Sequence, residues 1–299
     1  MIEIRNLSKI FDDIIAVNQV NLTVQDGIVF GLLGTNGAGK STLLRMLAGV
    51  LKPDIGEILM DEEPVWENPE VSRNIFYISD DQFYFPNGNA EELAAYYKCY
   101  YPDFDEKRFR KFLIKFGLDP KRKIKTFSKG MKKQISILIG VCANVKYLLC
   151  DETFDGLDPV MRQGIKSIFA QEMEERGLTP IIASHNLREL EDICDSIGLL
   201  HKGGILLSKD MEQLKNAFLK IQCVLPEECD EVIKASLDII KITRRGKLLT
   251  MTVRGEEDAV LPVIENMNPI YCEALPLTLE EIFISEMEVV GYDIKNLIF

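Results

Sequence analysis

The most specific chemistry in the sequence sits in one octapeptide, Gly34-Thr35-Asn36-Gly37-Ala38-Gly39-Lys40-Ser41. It fits the pattern G-x-x-x-x-G-K-[ST] in full. Glycines in such a loop let backbone N–H groups turn inward around phosphate oxygens without a Cβ in the way. Lys40 can then reach the β- and γ-phosphates of a bound polyphosphate. The Ser41 hydroxyl, followed by Thr42, can meet the Mg²⁺ that accompanies them. A helix starting near Lys40 would add the partial positive charge of its N-terminus.

A second stretch matches the first. Lys146-Tyr147-Leu148-Leu149-Cys150-Asp151-Glu152 is an apolar run ending in two carboxylates. A strand here would deliver Asp151 to the shell of a metal ion. Glu152, one residue on, would orient and deprotonate an attacking water.

These groups need a scaffold. Gly27–Gly34 reads as a short buried strand and Lys40–Leu51 as a Leu-rich helix closed by Lys52-Pro53. Strand, glycine-rich loop and helix is the setting the octapeptide requires. Further buried strands are expected at Lys146–Asp151, Thr179–Ser184 and Ser196–His201, separated by helical pattern. That alternation predicts an α/β core with a mostly parallel sheet. Between them, Gln82–Asn144 is rich in Tyr and Phe and poor in strand pattern, which predicts an inserted helical subdomain. The last ninety or so residues read strand Lys220–Leu225, helix Glu227–Leu237, and hairpin Ile239–Val253 turning at Arg244-Arg245-Gly246. Helix Glu256–Met267 and strand Ile270–Ala274 follow, and Thr278-Leu279-Glu280-Glu281 matches a capping box that opens a last helix. The order β-α-β-β-α-β predicts a small, ferredoxin-like α+β module.

The chain has 299 residues and a net charge of −12, which speaks against nucleic acid as the main partner. No apolar run reaches the ~20 residues of a spanning helix, and the N-terminus lacks a signal-peptide build. The expected location is therefore the cytoplasm. The seven cysteines are scattered and form no C-x-x-C pair, so they are read as reduced. The basic run Lys121-Arg122-Lys123 with Lys125 is read as a solvated loop, or as an element facing an acidic partner or membrane.

Three further motifs point to a family. Phe127-Ser128-Lys129-Gly130-Met131 precedes a helical stretch, Asp155-Gly156-Leu157-Asp158 follows the Asp-Glu pair, and Ser184-His185 closes the next strand. With these the chain resembles the nucleotide-binding subunit of an ATP-binding cassette (ABC) transporter over about residues 1–210. The resemblance implies a P-loop NTPase core with an antiparallel β N-terminal part, an inserted helical subdomain at about 82–144, and an accessory module over 211–299. It implies ATP and Mg²⁺ as ligands. Glu152 and His185 are the implied catalytic pair, His185 being similar to the family's switch histidine. Phe11 matches the aromatic that stacks on adenine, with Val17 packing under the same ring system. The family's LSGGQ signature reads FSKGM here, so Ser128, Lys129, Gly130 and Met131 are expected to close the site of a facing subunit. Asp158 is placed at the dimer seam.

One departure concerns the family's glutamine loop. Aligning Tyr77-Ile78-Ser79 on Tyr-Leu-Pro puts Asp80 in the glutamine's place as a Mg²⁺ ligand beside Ser41 and Asp151; Gln82 serves instead if the loop is shifted by two. The implied partners are a second ABC ATPase subunit and an integral membrane permease, with the chain held at the cytoplasmic face of the membrane. The ending Pro276–Phe283 resembles the tail of exporter-type, ABC-2-like ATPases. The alternatives are a soluble ABC ATPase acting on the ribosome or DNA, or an ATP-dependent sensor.

Overall fold

A computed structural model describes residues 1–226, 230–275 and 277–289. Glu227, Glu228 and Cys229, where the sequence places a helix start, and Pro276 of the exporter-like tail lie outside the described residues. The chain forms two compact units that meet in sequence at Lys209 and Asp210.

The first unit opens with β1 (Ile2–Phe11) and β2 (Ile14–Val24), followed by β3 (Phe30–Leu33) and α1 (Lys40–Leu47). Then come β4 (Ile55–Met60), β5 (Glu63–Pro64), α2 (Pro69–Ser72) and β6 (Ile75–Ile78). The helical stretch holds α3 (Ala90–Lys98), α4 (Glu106–Lys115), a 3₁₀ turn at Ile124–Thr126 and α5 (Lys129–Cys142). The core resumes with β7 (Tyr147–Asp151), α6 (Pro159–Arg176), β8 (Thr179–Ser184), α7 (Leu187–Ile193), β9 (Ser196–His201) and β10 (Gly204–Asp210).

Strands β2-β1-β4-β5 make an antiparallel sheet, and β10-β9-β3-β8-β7-β6 a second sheet in which β9, β3, β8, β7 and β6 run parallel. Every residue of β3, β7 and β8 is buried. A parallel strand covered on both faces reads as a continuous apolar run, and these three do. Their C-terminal ends carry the phosphate loop, Asp151 and Ser184. One edge of the sheet therefore collects the chemistry.

Two elements are shorter than their apolar patterns. The strand expected from Gly27 begins at Phe30, because Gly27 takes a left-handed φ of 68°. The helix expected to Leu51 ends at Leu47; Gly49 at φ 69° stops it. In the helical stretch regular structure starts at α3, where Asn89 and Glu92 form a capping box.

The second unit contains α8 (Met211–Asn216), β11 (Phe218–Val224), α9 (Asp230–Ser236), β12 (Asp238–Arg245), β13 (Leu248–Arg254), α10 (Glu257–Glu265), β14 (Tyr271–Leu275) and α11 (Leu279–Val289). Its sheet has the order β12-β13-β11-β14 with every neighbouring pair antiparallel. Ile221, Cys223, Leu249, Met251 and Val253 form its core with Ile233, Val260 and Ile264 of the helices. The Thr278–Glu281 capping box closes in both directions, at 3.1 and 3.2 Å. Among the described residues, no helix is long and apolar enough to cross a membrane.

Candidate functional site

The phosphate loop leaves β3 and enters α1 at Lys40. Two of its glycines are required by space. A Cβ on Gly34 would sit 2.5 Å from the Leu200 carbonyl oxygen, and one on Gly39 2.2 Å from that of Ala16. Gly37 and Gly39 also take left-handed φ values of 79° and 106°. Thr35 and Asn36 are exposed at the loop's apex, Ala38 is buried, and Thr42 is half-buried in the first turn of α1. The Thr35 carbonyl accepts the Ala38 amide at 3.1 Å, and the Ala38 carbonyl accepts the Gly203 amide at 3.0 Å. The loop is thus clamped from both sides.

Lys40 is buried inside this turn. Its Nζ donates to the Gly34 carbonyl at 2.8 Å and to the Thr35 carbonyl at 3.3 Å. The same atom lies 3.1 Å from Glu152 Oε1. The Ser41 hydroxyl donates to Asp151 Oδ1 at 3.0 Å, and the Tyr77 hydroxyl to Asp151 Oδ2 at 3.2 Å. Burial pushes the Asp151 carboxyl above the usual carboxylate range. The bonds from Ser41 and Tyr77 oppose that, and the charges of Glu152 and Asp80 reinforce it. The two sequence motifs therefore meet, and Asp80 lies close enough for its charge to be felt at Asp151.

Glu152 is held from four sides. It occupies the left-handed region at φ 48°, which is costly for a residue with a side chain. Its amide donates to the Ala183 carbonyl at 3.0 Å, and its own carbonyl accepts Lys133 Nζ at 2.6 Å. His185 Nδ1 lies 2.8 Å from Glu152 Oε2. The turn bearing His185 is fixed by Glu189, a buried carboxylate whose pKa burial raises. Glu189 accepts the Ser184 hydroxyl at 3.0 Å and the Asn186 side-chain amide at 3.2 Å.

The other predicted residues separate into two groups. Ser128 is exposed and caps α5, accepting the Met131 amide at 3.2 Å. A Cβ on Gly130 would lie 3.1 Å from the Gly156 carbonyl, so the signature segment abuts the loop that leads to Asp158. Lys129 is exposed, and Met131 is half-buried. Asp158 caps α6 through the Met161 amide at 2.9 Å. Among the described residues, no hydrogen bond or ion pair joins Ser128, Lys129, Gly130 or Met131 to the phosphate loop. Phe11 is 43% exposed, with Lys9 Nζ 5.4 Å above its ring. Val17 is a correction: it is 0% exposed within the core cluster and offers no surface to a ring stacked on Phe11. The strand alternates at this point, and its half-buried neighbour Ala16 faces the loop through the carbonyl beside Gly39. Gln82 turns into the helical subdomain, where its Oε1 accepts the Ser136 hydroxyl at 2.8 Å.

Three contributors carried no sequence signal of their own. Tyr77 is one apolar position among several in β6, Lys133 one of many helix lysines, and Glu189 one of several acids on α7. Only the packing brings them to Asp151, Glu152 and Ser184. The basic run is local structure in part: Arg122 donates to the Thr126 carbonyl at 2.7 Å and stacks on Phe127 at 4.7 Å. The described cysteines are all free. Among the described residues, no group of three His, Cys, Asp or Glu side chains could hold a metal by itself.

The site joins a phosphate cradle with a buried cation, a hydroxyl–carboxylate pair and a positioned carboxylate–imidazole pair. The family model described as "ABC transporter" matches residues 17–155. The ABC transporter ATP-binding protein YtrB of Bacillus subtilis (strain 168) is 30% identical over 96% of this chain and 98% of its own length. This chain belongs to the ABC transporter ATP-binding family. It is an ATP-binding subunit with the fold and activity of an ABC ATPase. The lantibiotic transport ATP-binding protein SrtF of Streptococcus pyogenes is 32% identical over 72% of this chain and 93% of its own. A solved structure described as an ATP binding subunit of an ABC transporter superposes with a TM-score of 0.65 at 25% identity. The superposition covers 72% of this chain and 92% of that one.

Proposed function

We propose that the chain powers an exporter-type ABC transporter, as one of two ATPase subunits that sandwich ATP head to tail against a separate membrane permease. One observation carries the reading: the site is incomplete within one chain. Lys40, Ser41, Asp151, Glu152 and His185 converge, whereas Ser128 stands exposed with no bond to them. In the pair, Ser128, Lys129, Gly130 and Met131 of one subunit close the nucleotide held by the loop of the other, and Asp158 lies at the seam. Phe11 stacks on the adenine.

The crowded glycine cradle and the Ser41–Asp151 pair suit a nucleoside triphosphate with a divalent cation. Ser41, Asp151 and Asp80 would hold Mg²⁺, which supplies charge neutralisation on the phosphates. Lys40 holds the phosphate oxygens from the loop side. Glu152 accepts the proton of the attacking water at its carboxylate, and His185 fixes that carboxylate in place. ATP binding closes the pair and hydrolysis reopens it, a two-state shift that a permease can follow. Exposed rings at Phe83, Tyr96 and Tyr100, packed together through the half-buried Phe85, follow Asp80 in the chain and suit a permease helix. The similarity to a lantibiotic transport ATP-binding protein supports the exporter class. The working location is the cytoplasmic face of the membrane, through the permease, with residues 1–210 as ATPase domain and 211–299 as accessory domain.

Affinity purification of the chain from detergent-solubilised membranes is expected to retain an integral membrane protein in a complex that hydrolyses ATP. Recovery with ribosomes or DNA, and without a membrane protein, would overturn the transporter reading.

Asp80 gives a second measurable consequence. Where a neutral amide would serve, it adds a third anion beside Asp151 and Glu152. Asp80→Gln should raise ATP affinity in EDTA about fivefold, the ~1 kcal/mol expected of one partly screened charge near phosphates. It should also raise the Mg²⁺ concentration needed for half-maximal hydrolysis. A fluorescent-nucleotide titration that finds equal affinity in EDTA would remove Asp80 from the site.

A further inference from the structure

The accessory unit separates its charges. In the β12–β13 hairpin, Asp238–Arg254, five Lys or Arg occur against one acid, Asp238, which stands opposite Arg254. The rest of residues 210–299 holds sixteen Asp or Glu against four Lys or Arg. Within an acidic chain this is a concentrated basic element.

Four of its five cations are presented to the outside. Lys241, Arg244 and Arg245 are exposed on β12, and Lys247 is exposed in the turn that follows. The side chains of Lys241, Arg245 and Lys247 make no hydrogen bond or ion pair among the described residues. β12 is an edge strand, and cations there blunt unwanted strand pairing. That accounts for Lys241 and Arg245. It does not account for Lys247, which precedes β13, an interior strand; Arg254 at the far end of β13 is half-buried over the Phe218 ring and is not part of the basic turn.

The opposite pole of the same strand is acidic. β13 runs from the basic turn to Arg254, and Gly255 leads directly into Glu256, Glu257 and Asp258. These three are exposed and make no ion pair among the described residues. They border a groove of about 600 Å³ with Phe218, Leu219 and Leu275 in its walls, where the three acids outnumber one cation, Lys215. A seven-residue strand places the two poles about 20 Å apart.

We infer that the accessory units of two copies of this chain pair through these poles, the basic turn of each seated at the acidic groove of the other. Opposite charges at opposite ends of one strand are self-complementary under a two-fold axis. When one contact forms, its twin forms with it, and the assembly closes as a dimer. The like-charged poles repel, so the side-by-side arrangement with turns together is disfavoured. The contact needs no nucleotide, and so it is independent of the ATP sandwich.

Sedimentation velocity of the full chain without nucleotide is expected to show a reversible dimer that weakens as salt rises. Arg244→Glu, Arg245→Glu and Lys247→Glu together should raise the dimer Kd by about tenfold or more, since several screened pairs are reversed at once. Glu256→Lys, Glu257→Lys and Asp258→Lys together should do the same. Mixing the two reversed proteins should restore a heterodimer through both contacts, one native and one with its charges exchanged, which misfolding of either could not produce. Circular dichroism controls for folding. A nucleotide-free monomer, unchanged association in the reversed proteins, or no rescue on mixing overturns the inference. The same proteins are spun with phosphatidylcholine vesicles with and without phosphatidylglycerol. Loss of vesicle binding in the hairpin variant with self-association intact would assign the hairpin to an anionic lipid surface, against the inference.

Discussion

Glu152→Gln should leave ATP binding intact while hydrolysis falls by about 10²- to 10⁴-fold, the usual contribution of a positioned general base. The substitution keeps shape and volume. The backbone strain at φ 48°, the amide bond to Ala183 and the Lys133 bond to the carbonyl involve the main chain, so they survive. A glutamine oxygen can still face Lys40, although the 3.1 Å ion pair becomes a charge–dipole contact. What is lost is the ability to take a proton. With hydrolysis blocked, nothing reopens a closed pair, and the variant should accumulate as an ATP-bound dimer. Mass action then makes the dimer depend on ATP concentration. Size-exclusion chromatography with and without ATP and Mg²⁺, at a salt concentration that dissolves the nucleotide-free association, reads this directly. A variant that hydrolyses at the wild-type rate would remove Glu152 from catalysis. One that stays monomeric with saturating ATP would sink the sandwich.

The residues that could be read in advance share a property: their chemistry is encoded in contiguous sequence. The phosphate loop needs glycine at crowded backbone positions, and only glycine fits beside the Leu200 and Ala16 carbonyls. Asp151 ends an apolar run because a strand buried on both faces has no room for polar residues until it emerges. The order of elements in the second unit was readable for a similar reason, since its strands alternate and its turn at Gly246 carries a left-handed φ of 62°.

What could not be read depends on which side of an element faces the site. Val17 and Ala16 are adjacent apolar residues, and the side facing the loop is decided by strand register. Asp80 and Gln82 posed the same problem in a loop. Packing separates them, since Gln82 bonds Ser136 on α5 while the Asp80 charge acts on Asp151. Tyr77 meets Asp151 from a strand 74 positions earlier, and no local pattern encodes such a contact.

Lys40→Met should separate binding from chemistry in the opposite sense to Glu152→Gln. Methionine fills much of the space of the lysine stem, so Leu43, Leu44, Met46 and Leu47 can keep α1 seated in the core. The change removes a cation that is only 5% exposed and aimed at the loop carbonyls and Glu152. Charge-assisted bonds to phosphate contribute about 2–3 kcal/mol, so ATP affinity should fall by roughly 10²-fold. The free protein should also lose some stability, because the Glu152 carboxylate then keeps only His185 as a partner among the described contacts, Lys133 bonding the Glu152 carbonyl instead. These two effects have different readouts. A ligand that binds only the folded state raises the melting temperature with the logarithm of its concentration over its Kd, once that ratio exceeds one. ATP should therefore raise the wild-type Tm and leave that of Lys40→Met nearly unchanged at the same concentration. The Glu152→Gln protein should show the full rise without turnover. If Lys40→Met keeps the wild-type ATP-induced rise, the buried amine serves the fold of the loop, and the phosphates are held by the backbone alone.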